Sequence, residues 1–559
     1  MDERYVGKVS ATNSEPTTSD NFAFWLKPEV IVNPFDVVEV EQVSHDGVST
    51  TYGVVNMLEH LTDSPSHLSN FISNDFGELI SEPNSVRQGT TLARAFVLSN
   101  DKNIYMPLPN DKPVKFASVE GIRKALGIDR IPPKERIPAG IIQMSNGTEA
   151  VVYLDRRYVL GPEGAHVNIT GISGLATKTS YIMFLLQSIL QSSKGTELEG
   201  KVSVIILNVK HGDLLSIDQP SKQPISDDEL RLWKLLGLEP KPFENVKYLL
   251  PHGKGSANTP NSFRIPFNSN YKIYAYSLED AFNKLDLLLS NVPDPWDTLG
   301  AIVGEISQGL TDPFTGSFRP SGQWKLVRTW ENLLNDPPLF KDGVPQQFGE
   351  IKSSSIGRFK RILRRIVQTR QSGIFVSQRS NNTVSIEEEI SKMKGGEVIV
   401  IDIARLTDEE QTLVFGDVLR TVYQMYAEKS DETGELPAKV IIFVDELNKY
   451  APSLGRESPI LEQVIDVSER GRSLGVILFG AEQFMSAVHE RVAGNCSTYL
   501  IGRSGAAELS AVHYRFLDPA IRTSITRLDK GQLILSHPIF RQPVKIIFPR
   551  PVYLQEGNS

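Results

Sequence analysis

Three short clusters in this chain carry residue types that could hold and break a phosphoanhydride. The first is HVNITGISGLATKTS at 166–180, where a β-branched run meets an apolar helix-like run through a small-residue turn. Gly171, Gly174, Ala176, Thr177, Lys178, Thr179 and Ser180 would line that turn. Small residues let backbone N–H groups point inward around phosphate oxygens, Lys178 would reach the terminal phosphates, and the Thr179 hydroxyl directly after it would serve Mg²⁺. A helix beginning here adds its own attraction for an anion. The spacing departs from G-x-x-x-x-G-K-[ST]: Gly171 stands seven residues before Lys178, Ile172 takes the six-back place, and Thr177 precedes the lysine. Taken alone, the segment could also be an ordinary glycine turn with a surface lysine.

The second cluster is IIFVDE at 441–446, an apolar run ending in two carboxylates. At the C-terminal end of a buried strand, Asp445 would hold Mg²⁺, largely through water, and Glu446 would polarise an attacking water as general base. The third is VILFGAEQ, which places Gln483 at a strand end, where an amide can position water beside a terminal phosphate. Arg472, in SERGRSLG before that strand, could stabilise transition-state charge on a neighbouring subunit's nucleotide, with Arg470 and Arg503 as alternatives. Lys210, His211 and Asp213 follow another strand and could line the same cleft. RFKRILRR at 358–365 reads equally as a DNA-binding face or as an amphipathic helix packed on its own domain.

These residues need a scaffold of parallel strands, and the chain from 139 onward supplies its pattern. KVSVIILNVK, GEVIVIDI, KVIIFVDE and VILFGAEQ are continuous apolar runs separated by helix-like stretches, which predicts a sheet covered on both faces. The first part of this core spans 139–213, a mainly helical insertion 214–390, and the second part with C-terminal strands 391–559. Before it, residues 1–118 read as short strands of a small β-barrel, followed by a Pro-rich linker at 119–138. The expected fold class is therefore α/β, with a RecA-like P-loop core, an N-terminal small β-barrel and a helical insertion.

Composition narrows the classes. With 40% hydrophobic and 23% charged residues, 559 residues can build several cores, and a single cysteine gives no intrachain disulfide framework. The charged start and the absence of a long apolar run predict a cytoplasmic chain with no membrane segment. A net charge of −8 argues against a generally basic nucleic-acid binder but allows a locally basic channel.

Assembled, the motifs resemble the HerA branch of the HerA/FtsK superfamily of P-loop ATPases. YVGKVSATNSEPTTSDNFAFWL, NPFDVVEVE and TYGVVNML look like its N-terminal HAS barrel; HVNITGISGLATKTS, VIIFVDELNKYAP and GRSLGVILFGAEQ fall where its phosphate loop, acidic strand and glutamine-ended strand belong. The resemblance implies ATP and Mg²⁺ as cofactors, a homo-hexamer, double-stranded DNA in a central channel, and an effector partner, either a nuclease or a sirtuin-type NADase. It implies catalytic roles for Glu446, Gln483 and Arg472. A second reading makes the ring a nucleotide-binding platform that assembles its effector with little translocation.

Overall fold

Alternation within short β-branched segments builds the first structural unit. The computed structural model describes residues 4–45, 47–80, 88–172, 177–254, 259–267, 270–368, 373–428, 436–455 and 457–555. The chain divides into two compact units, one formed by residues 1–155 and 500–549, the other by 156–499 and 550–559. In the first, β1 (Tyr5–Val9), β2 (Asn21–Leu26), β3 (Val37–Ser44), β4 (Gly47–Thr62), β5 (Gly89–Asn100) and β6 (Pro113–Phe116) close a barrel in the order β1-β2-β5-β4-β3-β6. Period-two patterning places Phe22, Phe24 and Leu26 of β2 inside. Gly7 permits the close crossing of β1 and β2, because a Cβ there would stand 1.8 Å from the Trp25 carbonyl oxygen.

After the barrel, Ser118 caps the helix Val119–Ala125, whose Gly121, Ile122 and Ala125 are buried. Two antiparallel strands follow, β7 (Arg136–Gln143) and β8 (Glu149–Asp155), and Val544–Ile547 and Gln532–Ser536 extend them on the β7 side.

The second unit is built on parallel pairing. Its strands are β9 (Val167–Thr170), β10 (Val202–Asn208), β11 (Val246–Pro251), β12 (Tyr271–Tyr274), the β13 (Phe340–Lys341) and β14 (Val344–Pro345) hairpin, β15 (Thr383–Val384), β16 (Val398–Asp402), β17 (Lys439–Asp445) and β18 (Val476–Glu482). The sheet runs β15-β12-β11-β16-β10-β17-β18-β9, and each neighbouring pair is parallel. Residues of β9, β10, β16 and β18 are buried throughout, as continuous apolar runs require when helices cover both faces. The expected α/β class is found, with a parallel core sheet and an N-terminal closed barrel.

The stretch 214–390 supplies helices, but also β11, β12 and β15, which extend the core sheet beyond β16. Its LEDAFNKLDLLLSNV run is two short helices, Leu278–Ala281 and Leu285–Leu289, rather than one. Lys284 stands between them in a non-helical conformation and is buried. Its ammonium pairs with Asp417 Oδ1 at 2.7 Å and Glu387 Oε2 at 2.6 Å, while Tyr276 donates to Asp417 Oδ2 at 2.7 Å. Asp417 belongs to the helix Asp408–Ala427, so this buried network ties the inserted stretch to a core helix.

Candidate nucleotide site

The strand order gathers the predicted residues at one end of the sheet. β9 ends at Thr170, β17 at Asp445 and β18 at Glu482, and all three run in the same direction. β18 lies between β9 and β17, in register Glu482 with Thr170 and Ala481 with Asp445. Thr170 Oγ1 donates to the Gln483 carbonyl oxygen at 3.2 Å, which places Gln483 beside the exit of β9.

Gly171 leaves β9 with a φ of +154°, a conformation that suits glycine. Gly174 and Ala176 lie outside the described residues, as does the side chain of Thr177. The helix Thr177–Ser192 opens the next described segment, so Lys178, Thr179 and Ser180 occupy its first turn, where backbone N–H groups have no intrahelical partner. That helix is anchored by Tyr181, Ile182, Met183, Phe184, Leu185 and Ile189, all fully buried.

Lys178 is 7% exposed, and its Nζ is buried with no hydrogen-bond partner among the described residues. Burial lowers its pKa; Asp445 opposes that shift, Lys210 adds to it, and Glu482 and Glu446 oppose it. An unpartnered buried ammonium costs free energy until an anion meets it. Such a group, at a helix start beside acidic strand ends, fits a phosphate.

Asp445 is 7% exposed and Glu446, the residue after β17, is partly exposed. Glu446 has a φ of +60°, in the left-handed region. Lys210, two residues beyond β10, reaches both acids: its Nζ lies 3.1 Å from Asp445 Oδ2 and 2.9 Å from Glu446 Oε1. Burial lowers the Lys210 pKa, but Asp445 and Glu446 outweigh it and the net shift is upward. The donor set of Thr179 hydroxyl and Asp445 carboxylate suits a hard divalent cation.

Two residues belong to this cluster beyond those singled out by motif. Lys210 was one of three residues placed near the cleft by its strand end, and the ion pairs bring it into contact with the acids. Glu482 was missed; it is fully buried at the end of β18 and its charge acts on Lys178. Its sequence signal is an acid closing an apolar run directly before Gln483.

The arginines lie elsewhere. Arg472 is exposed in the last turn of the helix Pro459–Leu474, immediately before β18 begins, and donates to the Glu163 carbonyl at 3.2 Å. It is therefore at the N-terminal end of the strands, about 20 Å from their other end at ~3.3 Å per residue. Arg470 is on the same helix, 3.8 Å from Asp466, and Arg503 belongs to the first unit and is exposed. The basic helix Ser353–Val367 buries Ile356, Phe359, Leu363 and Ile366. Arg358 and Arg365 pair with Asp294 and Glu409, and Lys360 lies over the Phe340 ring, so this helix is amphipathic and packed on its own unit.

Fold and strand-end chemistry together define an α/β protein with a candidate anion site at one end of its parallel strands. No protein-family model and no curated protein matches this chain. Among solved structures it is similar to VirB4 of Thermoanaerobacter pseudethanolicus, at 15% identity over 75% of this chain and 97% of that one, with a TM-score of 0.43. It is similar to the bacterial conjugative coupling protein TrwB lacking its N-terminal segment, at 12% identity over 78% and 93% of the two chains, with a TM-score of 0.44. The genome-packaging NTPase B204 of Sulfolobus turreted icosahedral virus 2, solved with ATP-γS, matches 30% of this chain and 72% of its own, at 11% identity and a TM-score of 0.22. Among the described residues no helix is long and apolar enough to cross a membrane, and no group of three or more His, Cys, Asp or Glu could hold a metal ion.

Proposed function

We propose that this chain hydrolyses ATP as a subunit of a hexameric ring that moves double-stranded DNA. The observation that carries the nucleotide part is Lys178, a buried ammonium without a partner at the head of a helix, with Asp445 and Glu446 beside it. Lys178 binds the terminal phosphates, and the first-turn N–H groups of the helix share that charge. Gly171, Gly174, Ala176, Thr177 and Ser180 complete the phosphate loop. Thr179 and Asp445 would hold Mg²⁺, which when bound neutralises charge developing on the phosphates. Glu446 accepts the proton of the attacking water, and Gln483 orients that water. Arg472 stands at the opposite end of its own strands, so it acts on the nucleotide of a neighbouring subunit; Arg470 and Arg503 are the alternatives. A ring is the closed form of such a head-to-tail contact.

The ring works with an effector, a nuclease or a sirtuin-type NADase, in anti-phage defence or DNA end processing. This assignment follows the HerA resemblance of the barrel and core motifs.

One observation favours a second reading, in which the ring is a nucleotide-binding platform with little translocation: Lys210 engages both acids that turnover requires. ATP turnover with and without long duplex DNA separates the two. DNA-stimulated turnover that disappears in Lys178→Ala supports the motor; nucleotide binding without turnover, with DNA and effector both present, supports the platform.

A further inference from the structure

Lys210 has no assigned part in phosphate binding, yet its ammonium makes two close ion pairs in the site, with Asp445 and with Glu446. We propose, resting on the nucleotide reading above, that Lys210 is a built-in counter-cation. It is a positioning residue that occupies the metal-binding carboxylate and the general base while nucleotide is absent, and Mg²⁺ with nucleotide must displace it before either acid can work.

Three features carry this. Asp445 Oδ2 cannot hold the Lys210 ammonium at 3.1 Å and also serve Mg²⁺, directly or through water, without bringing two cations close together, where like charges repel. The same ammonium holds Glu446 Oε1 at 2.9 Å, so the general base is engaged together with the metal-binding carboxylate. The two lysines also differ in freedom. Lys178 is enclosed at 7% exposure, whereas the Lys210 side chain is 40% exposed and can leave the acids for water. One lysine is thus fixed to await phosphate, and the other is displaceable.

Two consequences follow. The empty site keeps its acids neutralised, and Glu446 is released only when a divalent cation arrives with the nucleotide. Lys210 thereby raises the Mg²⁺ concentration the site requires and suppresses turnover on an incompletely loaded site.

The test is binding of a fluorescent ATP analogue to the full chain, at fixed analogue and increasing Mg²⁺, for wild type, Lys210→Gln, Lys210→Met and Lys210→Arg, with thermal melting as the check on folding. The neutral variants are expected to reach half-saturation at about fivefold lower Mg²⁺, the size of effect two partly exposed ion pairs support. Lys210→Arg should stay closer to wild type, and analogue affinity in excess EDTA should be unchanged in all four proteins. An unchanged Mg²⁺ midpoint in folded Lys210→Gln and Lys210→Met overturns the proposal and leaves the nucleotide reading standing. Weaker binding of these variants in EDTA also overturns it, by making Lys210 a phosphate contact. A wild-type chain that binds no analogue at any Mg²⁺ concentration removes the nucleotide reading and this proposal together.

Discussion

Lys178 and Lys210 both feel the charge of Asp445, yet only Lys210 is hydrogen-bonded to it. The site therefore contains one satisfied and one unsatisfied ammonium within a single acidic cluster, and the unsatisfied one is the more deeply buried. Replacing Lys178 by Met removes an unpartnered buried charge while keeping much of the side-chain volume. The ligand-free Lys178→Met protein is expected to be more stable than wild type by about 1 kcal/mol. Added Mg²⁺ and ATP should then stabilise wild type, by about 2.7 kcal/mol at a hundred times Kd, and leave Lys178→Met unmoved. Thermal melts with and without nucleotide check both halves.

Glu446→Gln keeps the side chain's size and removes its capacity to take a proton. The variant should bind ATP as wild type does, while steady-state turnover falls by about 10²- to 10⁴-fold, the usual contribution of a general base. Single-turnover measurements should show ATP retained uncleaved. Wild-type turnover in Glu446→Gln would assign the base elsewhere.

The buried pair of Lys284 and Asp417 gives a stability expectation independent of the nucleotide. Asp417→Ala leaves the Lys284 ammonium with only the half-exposed Glu387 and deprives the Tyr276 hydroxyl of its acceptor. A loss of about 3 kcal/mol or more is expected in chemical denaturation, as for other broken buried pairs. Lys284→Met should cost less, because Asp417 keeps the hydroxyls of Tyr276 and Thr421.

His166 makes the second unit sensitive to acid. Burial pushes its pKa down to about 4, and its Nδ1 accepts from the Leu478 N–H at 2.9 Å. The unfolded chain takes up this proton near pH 6.5 and the folded chain only near pH 4, so the unfolded state binds more protons between those values. The stability associated with neutral His166 is present above pH 6.5 and is lost as pH falls through that window, by about 3 kcal/mol in all. His166→Asn retains an acceptor and tolerates the residue's φ of +67°. Denaturation midpoints followed from pH 7 to 4 should fall less steeply in this variant than in wild type.

Much of this arrangement was legible in the sequence, because the informative residues stand at the ends of long apolar runs. β10, β16, β17 and β18 each follow such a run, and Asp445, Glu446 and Gln483 punctuate two of them. The rest depended on contacts that sequence spacing does not encode. Insertion of β18 between β9 and β17 brings Gln483 to Thr170, residues more than 300 positions apart. The Lys210 pair with Asp445 spans 235 positions. β12 and β15 have four and two residues, and such short runs do not distinguish strand from buried helix. Lys284 breaks a run with helical periodicity because its ammonium is drawn into a tertiary ion pair, an override that local propensity does not reveal.

Equilibrium binding of Mg²⁺ and ATP to wild type and Lys178→Ala tests most directly whether the strand-end cluster around Lys178 is a nucleotide site. Saturable binding by wild type, weakened at least a hundredfold in a folded Lys178→Ala protein, is the expected result, since the variant loses the charged contact to the terminal phosphates (about 3 kcal/mol). Equal affinity in the two proteins would contradict the assignment of Lys178, and with it the site.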